Sequence, residues 1–234
     1  MSLVRFQPLA PYYSPVSSAV ERYIDIVEVS GSIPLPDTKD FNLKEHNMPG
    51  VFLVSDTHFG HTGVCKFMRS DGVTKLRPFT DPDEMDEFMV KAWNERVKPN
   101  DKVYHLGDVV INRKALKVMS RLNGDKVLIR GNHDIFRDDE YRLYFRELRA
   151  YHVMNGMILS HIPIHSESLG RFGVNIHGHL HDNRVRLNDE IDPRYHCVCV
   201  EHTDFAPILF EDVLKRIKEE GGVIGFRNGN GPAM

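Results

Sequence analysis

Val51-Phe52-Leu53-Val54-Ser55-Asp56-Thr57-His58-Phe59-Gly60-His61 is the stretch whose reading decides how this chain folds. Four consecutive apolar residues before a polar break describe a short strand with both faces covered. The Asp-x-His that follows places a carboxylate and an imidazole where that strand ends. In open α/β sheets, ligands gather beyond the carboxyl ends of strands. Asp56 and His58 are therefore candidate metal ligands. Two residues apart in an extended segment, their side chains should point the same way.

The same grammar repeats downstream. An apolar run over 102–106 ends in Gly107-Asp108, and one over 126–130 ends in Gly131-Asn132-His133-Asp134. A run over 153–160 ends in Ser160-His161, and one over 173–177 ends in Gly178-His179-Leu180-His181. A further short strand is expected over 197–200. Between them, a helix is expected over 82–97. Asp81 or Thr80 caps it, Pro82 sits in its first turn, and Met85, Phe88, Met89, Ala92 and Trp93 form one apolar face. A second helix is expected over 113–122, ended by Asn123-Gly124. A closing helix over 210–220 carries Val213, Leu214 and Ile217 on one side and stops at Gly221. Alternation of strand and helix, then a strand-rich half, predicts a layered α/β sandwich of two mixed β-sheets flanked by helices. Residues 49–220 form the core domain. Proline-punctuated residues 1–48 read as an N-terminal extension, with only 19–29 apolar enough to be regular. Residues 221–234 read as a loose, glycine-rich tail.

Composition narrows the function classes. The chain has 234 residues, 41% hydrophobic and 27% charged, as in soluble globular domains. No apolar run approaches the roughly 20 residues that span a bilayer, and residues 1–9 lack the pattern of a secretory signal. A cytoplasmic protein without a membrane partner is expected. A net charge of −3 gives no broad surface for nucleic acid, so phosphate binding should be local. Three cysteines, Cys65, Cys197 and Cys199, do not make a disulfide framework. Cys197 and Cys199 alternate in an apolar stretch and read as reduced residues on strand faces.

The five motifs supply two carboxylates, one amide oxygen and at least four imidazoles at converging strand ends. That inventory suits two adjacent divalent metals sharing one bridging carboxylate. With no thiolate among the oxygen and nitrogen donors, it favours Mn, Fe, Co, Ni or Zn over Mg, with Mn first. Two such ions bring four positive charges against two from Asp56 and Asp108. The excess attracts a phosphate and polarises its oxygens.

In this order the motifs resemble the calcineurin-like metallophosphoesterase superfamily: Asp-x-His, Gly-Asp, Gly-Asn-His-Asp, a lone His and Gly-His-x-His. The resemblance covers roughly residues 51–181 with every ligand position filled, and the style is that of a small bacterial and phage-type phosphoesterase. It implies that Asp56, His58 and His181 bind one metal, that Asn132, His161 and His179 bind the other, and that Asp108 bridges them. It places His133 near the leaving-group oxygen with Asp134 as its orienting partner. The implied reaction is in-line attack on phosphorus by a hydroxide shared between the metals, with His133 as proton donor.

Other residues are weighed beside these. His61 and His165 lie on loops that could border a phosphate ester. Arg69, Arg77 and Arg113 have suitable guanidinium chemistry for its distal part, although surface arginines are usually just solvated. His105 reads as a core residue, and His177 should face away from the ligands. Protein phosphatases of the superfamily carry an aspartate three residues after the bridging one, where this chain has Ile111. A small-molecule phosphodiesterase or phosphatase is expected, with (cyclic) nucleotide-like substrates favoured. The alternatives are a nuclease or nucleic-acid end-processing phosphatase, and a non-catalytic metal-binding scaffold. The sequence leaves the oligomeric state open.

Overall fold

The computed structural model describes residues 48–226. The expectations for residues 1–47 and 227–234 lie outside them. The apolar run that opens the core forms β1 (Val51–Val54), and its alternation explains why all four residues are apolar. Phe52 and Val54 face one hydrophobic cluster, shared with the helices, while Leu53 faces a second cluster, shared with another sheet. A strand with two covered faces has no position for a polar side chain.

Parallel to β1 runs β2 (Lys102–His105), then β3 (Asp125–Ile129) and β4 (Glu147–Arg149). Register places Val54 beside His105 and His105 beside Leu128. The C-terminal ends of β1, β2 and β3 therefore lie level, each followed by one of the motifs. The connection from β1 to β2 carries α1 (Pro82–Arg96), with the Asp81 side chain accepting from the Asp83 and Glu84 amides. Met85, Met89, Val90 and Trp93 bury its inner face. Phe88, expected on that face, is exposed, and Val90 takes its place. Residues Arg113–Arg121 form a 3₁₀ helix rather than an α-helix, capped by Asn112. Beyond β3 stands the single-turn α2 (Asp138–Tyr141).

The second sheet contains β5 (His152–Met154), β6 (Met157–Ser160), β7 (Asn175–His177) and β10 (Tyr195–Cys197), in the order β10-β7-β6-β5. The single strand expected over 153–160 is thus a hairpin. Asn155 and Gly156 both take positive φ, 50° and 71°, the signature of a tight Asn-Gly turn. Between β7 and β10 stand β8 (Arg186–Leu187) and β9 (Glu190–Ile191), a separate two-stranded ribbon. The strand expected over 197–200 ends at Cys197, and Val200–His202 turn as a 3₁₀ helix. Finally β11 (Ile208–Leu209) pairs antiparallel with β1, and α3 (Phe210–Glu219) closes the core with Val213 and Ile217 buried. The five-stranded sheet, β11-β1-β2-β3-β4, packs on the four-stranded one through Leu53, Tyr104, Val127, Leu159, Ile176 and Val198. The architecture is the expected α/β sandwich of two mixed sheets flanked by helices. Residues 223–226, expected to be loose, pack closely: a Cβ on Gly156 would meet the Phe226 amide and one on Gly173 the Val223 carbonyl.

Candidate metal centre

Five residues of the motifs adopt left-handed backbone: Asp56 (φ 59°), His58 (49°), Asp108 (57°), His179 (70°) and His181 (52°). Non-glycine residues avoid that region at a cost of about 1–2 kcal/mol each. The Asp-x-His segment is therefore not extended as expected. Its backbone kinks at both donors, and the kinks, not strand pleating, bring the two side chains together. Ser55 leaves β1 by a parallel bridge to Cys199, and Phe59 makes another to Val110. The turn is held at both ends.

Donor atoms of Asp56, His58 and His181 lie within 4.8 Å of one another, and so do those of Asp108, His161 and His179. Asn132 joins the second group, its Oδ1 standing 2.8 Å from His161 Nε2. Asp108 lies between the groups. Its Oδ2 is 3.7 Å from His58 Nε2 and 3.4 Å from His161 Nε2. The seven residues expected as ligands are thus gathered where strands of both sheets end.

Hydrogen bonding shows which atoms remain for a ligand. Asp56 Oδ2 is saturated by the Ser55 hydroxyl at 2.6 Å, the His179 amide at 2.8 Å and the Cys199 thiol at 3.1 Å. Asp56 Oδ1 and both ring nitrogens of His58 are buried without a partner. A buried polar atom left unpaired is costly, so an occupant is called for. In His161, Nδ1 stands 2.7 Å from the Leu106 carbonyl, which only a donated proton satisfies. Its Nε2 then converges with Asn132 Oδ1 and Asp108 Oδ2, neither of which can donate. Either a proton or a cation must stand among them. The donor chemistry fits divalent metal ions in both groups.

Electrostatics agree. Burial opposes charge on Asp56, yet the His58 imidazole 3.6 Å away, the Ser55 hydroxyl and the charge of His161 hold its carboxyl far below the usual range. Asp108 is likewise held low against its burial by His161 and the His133 amide. Both carboxylates are ionised at neutral pH.

The neighbours divide. His133 is half-exposed, with Nε2 4.0 Å from Asp108 Oδ2 and its amide donating to Asp108 Oδ1 at 2.8 Å. Asp134 is not its orienting partner. The Asp134 carboxylate turns inward and accepts from the amides of Asp108 (2.8 Å), Gly131 (2.8 Å) and Val109 (3.0 Å), tying two ligand loops together. Asp134→Asn replaces one acceptor by an NH₂ that opposes these amides. Its expected cost is about 1.5–3 kcal/mol, read as a fall of several degrees in Tm. An unchanged melting curve would contradict that role.

His61 packs at 5.6 Å on the His58 ring and edge-on to Phe67. Burial, with the positive charges around it, pulls its pKa down to about 4, so it is neutral at pH 7. His165 is exposed and caps the 3₁₀ turn Ser166–Leu169 by accepting from the Glu167 amide. Arg113 pairs with Glu140 and Arg69 stands 3.8 Å from Asp182. Arg77, considered for substrate, is wholly buried and has no access to one. His105 is a core residue as expected, 3.0 Å from the Thr57 hydroxyl, and burial pulls its pKa down to about 3.

Sequence reading did not find Ser55, Cys199 or Glu201. The Glu201 side chain is fully buried, and its Oε1 stands 3.0 Å from His181 Nδ1. The only sequence signal for Ser55 was its place beside Asp56, and Cys199 read as a strand-face residue. Cys65, Cys197 and Cys199 are free thiols, all buried. No helix among the described residues is long and apolar enough to cross a membrane.

The family model of the calcineurin-like phosphoesterases matches residues 50–222. An uncharacterized protein of Methanocaldococcus jannaschii is 35% identical over 184 residues, which is 76% of this chain and 96% of that one. The crystal structure of a protein of unknown function from Aquifex aeolicus superposes with a TM-score of 0.55 at 26% identity, covering 72% of this chain and all of that one.

Proposed function

The chain belongs to the calcineurin-like phosphoesterase family, and from that premise we propose that it is a dinuclear metal-dependent hydrolase of small phosphodiesters or phosphomonoesters. The observation that carries this reading is the placement of Asp108. Its buried carboxylate stands within 4 Å of imidazoles from both donor groups, where one side chain can serve two ions. Asp56, His58 and His181 would hold one ion, Asn132, His161 and His179 the other. Manganese is the first candidate, with Fe, Ni, Co or Zn also suited to the donors. Such a pair, when bound, lowers the pKa of water toward neutrality and polarises phosphoryl oxygens.

The chain's own residues do the rest. Asp56 and Asp108 reduce the positive charge of the pair without cancelling it, leaving attraction for an anionic ester. The Oδ2 donors fix the Asp56 carboxylate in one orientation, so its free Oδ1 points at the site. As attack on phosphorus breaks the ester P–O bond, the leaving oxygen takes up a proton. His133, open to solvent beside Asp108, is the side chain placed to supply it. His61, neutral at pH 7, can donate a hydrogen bond to a phosphoryl oxygen, while His165 serves its turn. Small nucleotide-like esters are favoured over nucleic acid because a chain of net charge −3 offers no basic track along a backbone. A cytoplasmic setting, with free thiols, belongs to the same proposal.

Hydrolysis of bis-p-nitrophenyl phosphate and p-nitrophenyl phosphate by metal-stripped protein resupplied with Mn tests the reading. Turnover of either that requires the metal is the expected result, and preference between them separates diesterase from phosphatase. Two bound ions with no turnover of any ester would instead favour the scaffold. His133→Ala should keep its metal content and lose about 10²–10⁴-fold in turnover on esters with poor leaving groups. The loss should be much smaller on p-nitrophenyl esters, whose leaving oxygen needs no proton. Loss of a metal in that variant would overturn the division between ligand and acid.

A further inference from the structure

Beside the first donor group lies a fully buried ion pair that belongs to none of the five motifs. Arg77 and Glu201 are both 0% exposed at their side chains, with Arg77 Nη2 2.7 Å and Nε 2.8 Å from Glu201 Oε1. The rest of the guanidinium serves the backbone of the Asp-x-His turn. Nη2 donates to the Asp56 carbonyl at 2.6 Å and Nη1 to the Thr57 carbonyl at 2.9 Å. On its other side, the same Glu201 oxygen stands 3.0 Å from His181 Nδ1.

Glu201 reaches this place because the chain leaving the second sheet returns to the end of β1. Cys199 bridges Ser55, the Val200 amide donates to the Ser55 carbonyl at 3.1 Å, and the following turn points Glu201 inward. One ion pair thereby joins a strained turn carrying two donors to the loop carrying the third. Buried ion pairs are weak evidence for stability, because desolvation offsets their attraction. What this one does is set by what it holds.

We infer that Glu201 and Arg77 are positioning residues for one metal of the pair. Glu201 accepts a hydrogen bond from the Nδ1–H of His181, fixing the tautomer that leaves Nε2 as a lone-pair donor beside Asp56 and His58. Arg77 anchors Glu201 and holds the left-handed turn from Asp56 to His58 in the conformation that aims both donors. The inference rests on the metal reading proposed above, and it concerns one ion only. The second group has its own orienting contact, from His161 Nδ1 to the Leu106 carbonyl.

Calorimetric titration of metal-stripped protein with Mn tests it, on the parent, on Glu201→Gln and on the double variant Arg77→Met/Glu201→Leu. The parent should bind two ions. Glu201→Gln should bind one as the parent does and the other about 10–100-fold more weakly. Excess Mn should restore most of its turnover, because Glu201 touches no substrate. Two ions bound with parental affinity would overturn the inference and leave the metal reading intact. If Glu201→Gln fails to fold because Arg77 is left unpaired, the double variant, which buries no charge, decides by the same readout. Weakening of one ion supports the inference, and parental binding overturns it. A parent that binds no Mn overturns the metal reading and this inference with it.

Discussion

Asp108→Asn is expected to reduce phosphoesterase turnover by at least about a thousandfold while leaving the protein folded. The asparagine is nearly the same size and keeps one oxygen, so the amide of His133 retains an acceptor. What goes is the negative charge between the two donor groups, where Oδ2 stands 3.7 Å from His58 and 3.4 Å from His161. In the proposed centre a bridging carboxylate would act on both ions, so its loss would weaken two sites at once. Charge stabilisation of several kcal/mol is at stake, and each 1.36 kcal/mol is about tenfold in rate. Elemental analysis alongside kinetics checks the account. Near-parental turnover with two ions retained would remove Asp108 from its bridging place.

Gly107→Ala is expected to be strongly destabilising for a change of one methyl group. Gly107 has φ +93°, and a Cβ there would lie 2.5 Å from the Gly131 amide nitrogen and 2.7 Å from its Cα. Both are backbone atoms of the next ligand loop and cannot rotate away. The left-handed backbone alone costs an alanine about 1–2 kcal/mol. The clash must also part the loops bearing Asp108 and Asn132, so a total above about 4 kcal/mol is expected, the range of exceptional substitutions. Gly72→Ala is the matched control. Its φ is +67°, but a Cβ there meets nothing within 4 Å, so only the backbone cost should appear. Equal denaturation midpoints for the two variants would show that the close approach of the loops has been misjudged.

Much of this site could be read in the chain because each donor stands beside a feature with its own signature. The continuous run from Val51 to Val54 marks a two-sided strand, and glycines 107, 131 and 178 mark close backbone approach at strand ends. At Gly178 a Cβ would fall 2.0 Å from Ser55 Oγ and 2.5 Å from Asp56 Oδ2. What could not be read depends on long-range pairing. Cys199 and Glu201 reach Asp56 and His181 only because the second sheet hands the chain back to the end of β1, a contact that no local pattern encodes. The left-handed conformations of Asp56 and His58 were hidden for a related reason. Local preference argues against them, and the surrounding bridges impose them. The family resemblance implies that Asp134 orients His133, whereas the turn directs its carboxylate to three backbone amides. The Asn155-Gly156 hairpin is different. Its turn signal was present, but the apolar residues on either side merged into one strand.

We propose that two ions share one buried carboxylate and that both are needed for hydrolysis. This is tested most directly by titrating metal-stripped protein with Mn while following bis-p-nitrophenyl phosphate hydrolysis and bound metal together. Two ions per chain at saturation are expected, with turnover rising as the second site fills. Full turnover at one ion per chain, or turnover independent of metal, would contradict it.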